Sequence, residues 1–222
     1  MSESRGSLPA SYFDDVYGAN ADPWGFETSP YEAAKYARTL AALPRARYRS
    51  AFEIGCSIGV LTERLAARCD ALLAVDVAEH ALARTRARCA DLPRVRVERM
   101  QPPGEFPDAT FDLIVLSEVG YYWSADDLLA ARALILDHLE SGGHLILVHW
   151  TPPVPDYPLT GDEVHEAFAV SVGAGLSHLH GHREGQYRLD VFERHCEPLY
   201  PLLPRVGRTR VEGESPERSG GR

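Results

Sequence analysis

Apolar positions along the chain follow two rhythms in alternation, and that alternation is the first sign of architecture. From Tyr31 to Leu43 the stretch YEAAKYARTLAAL is rich in helix formers and is stopped by Pro44, which predicts a helix ahead of the sheet. Strand-length apolar runs then alternate with helical segments: a strand near 51–54, a helix over 60–68, a strand near 72–76 and an Ala- and Arg-rich helix over 78–90. Pro93 separates that helix from a strand at VRVER, residues 95–99. FDLIVLS at 111–117 is a continuous apolar run, as in a central parallel strand buried on both faces. A helix over roughly 124–140 follows, with Ser141, Gly142 and Gly143 as its stop signal, and then a strand at 144–150. After a Pro-rich loop come a helix near 161–172 and two strands, around 177–183 and 186–193, joined by a tight turn at Gly185.

This order predicts an α/β protein: a doubly wound, Rossmann-like, seven-stranded and mostly parallel sheet closing on an antiparallel C-terminal hairpin. The expected divisions are a lead-in with a lid helix over 1–44, a core domain over 45–197, and a mobile tail over 198–222, where Pro, Arg, Gly, Glu and Ser dominate. A chain of 222 residues suits one well-buried core rather than two.

Composition narrows the function classes without choosing among them. Apolar residues are 45% and charged residues 25%, which excludes a chain disordered throughout. A formal net charge of -9 disfavours a nucleic-acid partner held by phosphate neutralisation. Arg greatly outnumbers Lys, whose sole example is Lys35, a bias that we attribute to the coding of the source genome. Cys56, Cys69, Cys89 and Cys196 have neither C-x-x-C spacing nor the density of a disulfide scaffold. No apolar run approaches the eighteen or so residues of a membrane span, and the first residues are polar. The expectation is a cytoplasmic monomer or homodimer with no membrane partner.

Candidate chemistry gathers at the strand ends. Glu53-Ile54-Gly55-Cys56-Ser57-Ile58-Gly59 runs from the first strand into the first helix of the alternation, where glycines allow a nucleotide-type ligand close to the backbone. Seventeen residues beyond Gly59 the second strand ends in Asp76, placed to accept hydrogen bonds from a ribose diol or, alternatively, to cap the helix starting near Ala78. A dinucleotide is the natural competitor. Glu53 argues against it, because a carboxylate there repels a pyrophosphate and suits a ligand carrying a sulfonium and an ammonium. The loop also lacks G-x-G-x-x-G spacing, which disfavours a nicotinamide-dependent dehydrogenase.

The segment EIGCSIG, Asp76 and FDLIVLSEVGYYW together resemble class I S-adenosylmethionine-dependent methyltransferases, and in particular the nodulation protein S family. Asp22-Pro23-Trp24, Tyr31-Glu32, Lys35-Tyr36 and YRLDVFER at 187–194 extend the resemblance over most of the chain. It implies S-adenosyl-L-methionine as cofactor, held by Trp24, Tyr31, Glu53, Gly55, Cys56, Ser57 and Gly59, by Asp76 with Val77, by Met100 with Gln101, and by Ser117, Glu118 and Val119. It also implies methylation of an amine, in the named family on a partly deacetylated chitin-like oligosaccharide. Two positions depart from the wider pattern: Ser57 stands where Gly is frequent, and Gln101 stands where an Asp commonly meets the adenine amine. The Gln101 carbonyl can still accept from that amine.

Other residues carry two readings each. Tyr31, Lys35 and Arg38 share one helix face, which either closes over the cofactor or is a solvated surface. Glu118, just past the central strand, is a candidate base for an ammonium that must lose its proton, or else an orienting group or a cap. His149 is the other candidate proton acceptor, against a structural imidazole. Tyr121, Tyr122 and Trp123 suit a sugar ring carrying a protonated nitrogen, or pack the core. His178, His180 and His182 alternate on one strand but lack a matching carboxylate or cysteine set, so no metal site is expected. Cys56 is read as a small loop residue with no nucleophilic role. An O-methyltransferase acting on another small molecule and a non-catalytic cofactor-binding module remain the alternatives.

Overall fold

A computed structural model describes residues 5–195, so Cys196 and the tail expected over 198–222 lie outside the described residues. Helices α1 (Ala10–Ala19) and α2 (Pro30–Ala42) lead into a sheet whose first five strands are β1 (Tyr48–Ile54), β2 (Cys69–Asp76), β3 (Val95–Arg99), β4 (Phe111–Ser117) and β5 (Leu139–Trp150). Helices α3 (Val60–Ala66), α4 (Glu79–Arg88) and α5 (Ala125–His138) connect them, and α6 (Gly161–Ala169) precedes the hairpin β6 (Leu176–Glu184) and β7 (Tyr187–Arg194). The sheet order is β3-β2-β1-β4-β5-β7-β6. β3 through β5 run parallel, while β7 is antiparallel to both β5 and β6.

Both faces of the sheet are covered. On one, Ala51, Leu113, Val115, Ile146 and Val148 pack with Leu61 and Leu65 of α3 and Tyr36 of α2; on the other, Phe52, Ile114, Leu116, Leu145 and Leu147 pack with Leu128 and Ile135 of α5 and Phe168 of α6. Every residue of β4 is buried, which is why its sequence lacks alternation. Chain order reverses between β1 and β4, and a crevice at such a reversal, beyond the carboxyl ends of the strands, is where open α/β sheets bind ligands.

Local chemistry sets the helix starts. Ser29 accepts from the Glu32 N–H with Pro30 in the first turn of α2, Ser124 accepts from the Asp127 N–H at α5, and Thr160 with Glu163 forms a reciprocal capping box at α6.

Three expectations are corrected. Helix α1 is a second helix in the lead-in, where the sequence predicts one over 31–43 only; Pro9 gives it no side-chain cap and its first turn has no acid, so its anchor is tertiary, through buried Tyr17 and partly buried Phe13. Helix α5 ends at His138, short of the Ser-Gly-Gly stop. Leu139 already pairs with Phe111 in β5, and Gly142, at φ 73, sits within that strand at a register irregularity. Finally, a register shift between His178 and His180 in β6 turns His178 to the face of Phe192, while His180 and His182 pair with Val191 and Leu189; the three imidazoles do not share a face.

Candidate active site

The carboxyl ends of β1, β2 and β4, with α1, α2 and the segment after β5, enclose a cavity of about 950 Å³. One end is shaped by the turn after β1. Gly55 has φ 84, and a Cβ there would meet Val119 Cγ2 at 2.0 Å, so only glycine allows the turn and the strand beyond to approach. Ser57 also has positive φ, 51, the conformation that explains why glycine is frequent at this position. Three contacts hold it there: its N–H donates to Asp76 Oδ2 at 2.9 Å, its carbonyl accepts from the Thr85 hydroxyl, and its hydroxyl pairs with that of Tyr17. Gly59 does not line the cavity. It begins α3 at φ 81, and a Cβ there would meet Thr85 Cγ2 at 2.9 Å, so its role is packing.

Asp76 combines the two readings drawn from sequence. Oδ1 accepts from the Ala78 N–H at 3.0 Å, at the start of α4, and Oδ2 from Ser57, while the residue itself lines the cavity. Burial raises its carboxyl and the backbone donors counter that. Glu53, at the end of β1, is buried with Oε2 unpartnered; burial pushes its carboxyl up to about 7, offset by the neighbouring Thr62 hydroxyl and reinforced by Asp76. The Cys56 thiol is driven well above its usual range by burial and by Asp76 and Glu53, so it stays protonated, as a small loop residue. Val77, Met100 and Gln101 complete this wall.

The other end is built around Lys35, which projects from α2 and is 3% exposed. Its Nζ lies 2.6 Å from Glu118 Oε1 and 3.0 Å from Glu32 Oε1. Glu118 Oε2 in turn accepts from the Tyr121 hydroxyl at 2.6 Å and the Trp150 N–H at 2.9 Å. Glu118 has positive φ, 58, and its N–H donates to the Val148 carbonyl, so the backbone turns sharply at the end of β4. Tyr31 stands edge-on to Trp150 and Tyr187, over β5 and β7, away from the β1–β2 end where an adenosine would lie. Its hydroxyl is buried and unpartnered, and burial raises it to about 12. Arg38 turns outward toward Glu184 at 3.8 Å, so the face shared with Tyr31 and Lys35 is split between cavity and solvent.

Trp24, Ser117 and Val119 line the cavity, and so do Tyr121, Tyr122 and Trp123, although all three aromatics are also core. His149 is corrected as a candidate base. It is fully buried outside the cavity wall, Nε2 accepts from the Gly120 N–H at 3.2 Å, and Nδ1 lies 3.1 Å from His165 Nε2. Burial and His165 hold its pKa well below the usual imidazole range. His178 bonds Asp190 and His182 bonds Glu184; among the described residues no cluster could hold a metal ion. Nor is any described helix long and apolar enough to cross a membrane. Sequence reasoning missed Tyr17 and Phe13 of α1, both in the cavity wall; their i, i+4 spacing was the available signal.

Three comparisons bear on this site. The family model for nodulation protein S matches residues 16–150. Nodulation protein S of Rhizobium tropici is 33% identical over 127 residues, which are 56% of this chain and 53% of that protein, so the chain spans about half the length of this curated relative. A solved structure from Pseudomonas syringae, assigned provisionally as a methyltransferase, is 40% identical with a TM-score of 0.66, covering 74% of this chain and 99% of its own. The N-methyltransferase nodulation protein S of Bradyrhizobium japonicum WM9, solved with S-adenosyl-L-homocysteine, has a TM-score of 0.74 at 22% identity, covering 83% of this chain and 98% of its own; at that identity the likeness is one of fold.

Proposed function

This chain belongs to the nodulation protein S family, and on that premise we propose that it is an S-adenosylmethionine-dependent methyltransferase acting on the amine of a small polar acceptor, an amino sugar or chitin-like oligosaccharide. The observation that carries the proposal is the charge of the cavity wall. Among the described residues its acidic side chains are Glu32, Glu53, Asp76, Glu105, Glu118 and Asp127, of which Glu53 is raised by burial to about 7, and its one basic side chain is Lys35, already paired with two of them. Such a wall attracts cations and repels phosphates, which favours a sulfonium cofactor and an ammonium acceptor over a dinucleotide.

The residues fit the cofactor. The close approach allowed by Gly55 and the orphaned oxygen of Glu53 suit a ligand whose amino-acid end carries an ammonium. Asp76 keeps one lone-pair direction on each oxygen beyond those taken by Ser57 and Ala78, enough for a ribose diol, and Gln101 lies nearby for the adenine amine. When bound, the cofactor supplies an electrophilic methyl carbon. The protein's part is to hold the acceptor nitrogen in line with it and to exclude water, an effect that comes from positioning more than from side-chain chemistry. Glu118 contributes to that positioning, since three donors already converge on its carboxylate. Tyr121 and Tyr122 line the cavity beside it, within an aromatic cluster that suits a sugar ring or a cation.

The test is transfer of radiolabelled methyl from S-adenosylmethionine to glucosamine oligomers, simple amines, hydroxyl acceptors and carboxylates, with calorimetry against S-adenosylhomocysteine and NAD. Label on nitrogen, with homocysteine-type but not dinucleotide binding, is the expected result. Label on oxygen alone overturns the amine reading, and tight cofactor binding without transfer to any acceptor leaves a binding module.

A further inference from the structure

Buried polar atoms in native proteins nearly all have partners, and an exception points to a missing ligand or water. Among the described residues four side-chain atoms are buried and unpartnered: the Tyr31 hydroxyl, Glu32 Oε2, Glu53 Oε2 and the Thr62 hydroxyl. Thr62 does not line the cavity, and Glu53 belongs to the proposed cofactor end. Tyr31 and Glu32 remain. They are adjacent in the first turn of α2, both line the cavity, and Tyr31 packs on the β5–β7 side.

The rest of that side is already satisfied. Glu118 has three donors, one of them the Tyr121 hydroxyl; Tyr122 and Tyr157 pair hydroxyl to hydroxyl; Asp127 accepts from the Ser7 hydroxyl. Glu32, Glu118 and Lys35 together carry one uncompensated negative charge, and Glu32 Oε2 is the carboxylate oxygen of the three-residue cluster without a partner. A carboxylate oxygen and a phenol hydroxyl, both buried and neither bonded to another protein group, match one ammonium or amine nitrogen.

We infer that Glu32 Oε2, assisted by the Tyr31 hydroxyl, docks the acceptor amine and takes its proton, while Glu118 serves to anchor Lys35 and the turn after β4. This rests on the methyltransferase reading above. The acceptor enters as an ammonium; one N–H bond breaks, the proton passes to Glu32 Oε2, and the electron pair stays on nitrogen. That pair forms the new C–N bond as the C–S bond breaks with its electrons retained by sulfur, and the Glu32 carboxyl then returns its proton to water. The methylated nitrogen carries the positive charge. Burial raises the Glu32 carboxyl; Lys35 pulls it down, and Glu118 and Asp22 push it up. A carboxyl raised in this way is a more effective acceptor near neutral pH.

The experiment uses the full chain loaded with S-adenosylhomocysteine and titrates glucosamine and phenethylamine into wild type, Glu32→Gln, Tyr31→Phe and Glu118→Gln, with thermal unfolding of each. Glu32→Gln should weaken amine binding about 10- to 100-fold, the loss expected for one charge-assisted hydrogen bond, with S-adenosylhomocysteine affinity within about twofold of wild type. Tyr31→Phe should weaken it about fivefold without lowering the unfolding temperature, because it removes an unsatisfied hydroxyl. In turnover, the acid limb of the kcat/KM profile should vanish in Glu32→Gln and persist in Glu118→Gln, a readout that a structural role for Glu32 would leave alone. The charged and titratable groups facing Glu32 are Lys35, Tyr31 and Tyr36 on its own helix, Glu118 after β4, and Asp22 in the lead-in. If Glu32→Gln folds and binds both amines as wild type does, a water occupies the pair and the inference is wrong. It is equally wrong if wild type, loaded with S-adenosylhomocysteine, binds neither amine. Failure of wild type to bind S-adenosylhomocysteine at all is a different result, which removes the methyltransferase reading itself.

Discussion

Asp76 and His149 show how much a single side chain's role depends on which of its atoms are already engaged. Asp76→Ala removes both oxygens proposed to meet a ribose and also the acceptor that holds Ser57 in its positive-φ conformation. Cofactor binding should weaken by roughly 2–4 kcal/mol, two charge-assisted hydrogen bonds less some compensation by water. Calorimetry showing an unchanged dissociation constant would refute the ribose assignment. For His149 the bonds determine the tautomer. Its Nε2 accepts from Gly120, so its proton is on Nδ1 and donates to His165 Nε2; the His165 proton is then on Nδ1, 2.6 Å from Asp190 Oδ2. Burial lowers the pKa of both imidazoles below their unfolded values. The unfolded chain therefore binds more protons below about pH 6.5, and the stability contributed by the neutral pair is complete above that pH and lost as pH falls. Unfolding free energy should drop by up to about 1.4 kcal/mol per pH unit for each imidazole in that window. His149→Gln should flatten the profile of denaturation midpoint against pH; an unchanged slope would assign the effect elsewhere.

At the scale of elements, the two turns that follow β1 and β4 are interlocked, since Gly55 of one lies against Val119 of the other. Gly55→Ala places an L-residue at φ 84, costing about 1–2 kcal/mol from backbone conformation alone, and pushes its methyl into Val119. We expect a lower unfolding temperature together with a loss of S-adenosylhomocysteine binding; a stable variant with normal affinity would mean that the close approach is dispensable. The glycine loop was legible because φ and close approach restrict residue choice at the positions themselves. The α5–β5 junction was misread for the opposite reason. Ser141-Gly142-Gly143 carries a helix-stop signal, yet Leu139 finds a strand partner in Phe111, and nothing local to 139–143 reports that partner. The β6 histidines fail likewise: strict alternation holds until one extra residue enters a strand, and the bulge at Leu179 exists only relative to β7.

For the molecule as a whole, the lead-in is the part joined to the sheet by the cavity it covers. Helix α1 reaches the β1 turn through Tyr17 and Ser57, and α2 reaches the end of β4 through Lys35 and Glu118. Trp24 stacks on Phe26 between them, 5.6 Å centroid to centroid. We propose that this segment is a lid whose order depends on the ligand beneath it. Amide exchange over residues 10–42 should slow when S-adenosylhomocysteine is added, while β4, buried along its length, stays protected throughout. Equal protection of the lead-in with and without ligand would make it a fixed wall.

The sequence by itself determined the alternation of strands and helices, the central position of β4 and the glycine turn at Gly55, because each is written in residues a few positions apart or in a run whose burial needs no partner to be recognised. It also held the family resemblance, a property of ordered motifs. Only the tertiary structure decided which acids have oxygens to spare. Glu118 and Glu32 are alike in sequence, one carboxylate each near an aromatic cluster, yet Glu118 meets Lys35, Tyr121 and Trp150, from 83 residues before it to 32 after, while Glu32 keeps one buried oxygen without a protein partner. Hydrogen-bond saturation is a sum over neighbours brought together from distant parts of the chain, and no window of sequence contains that sum.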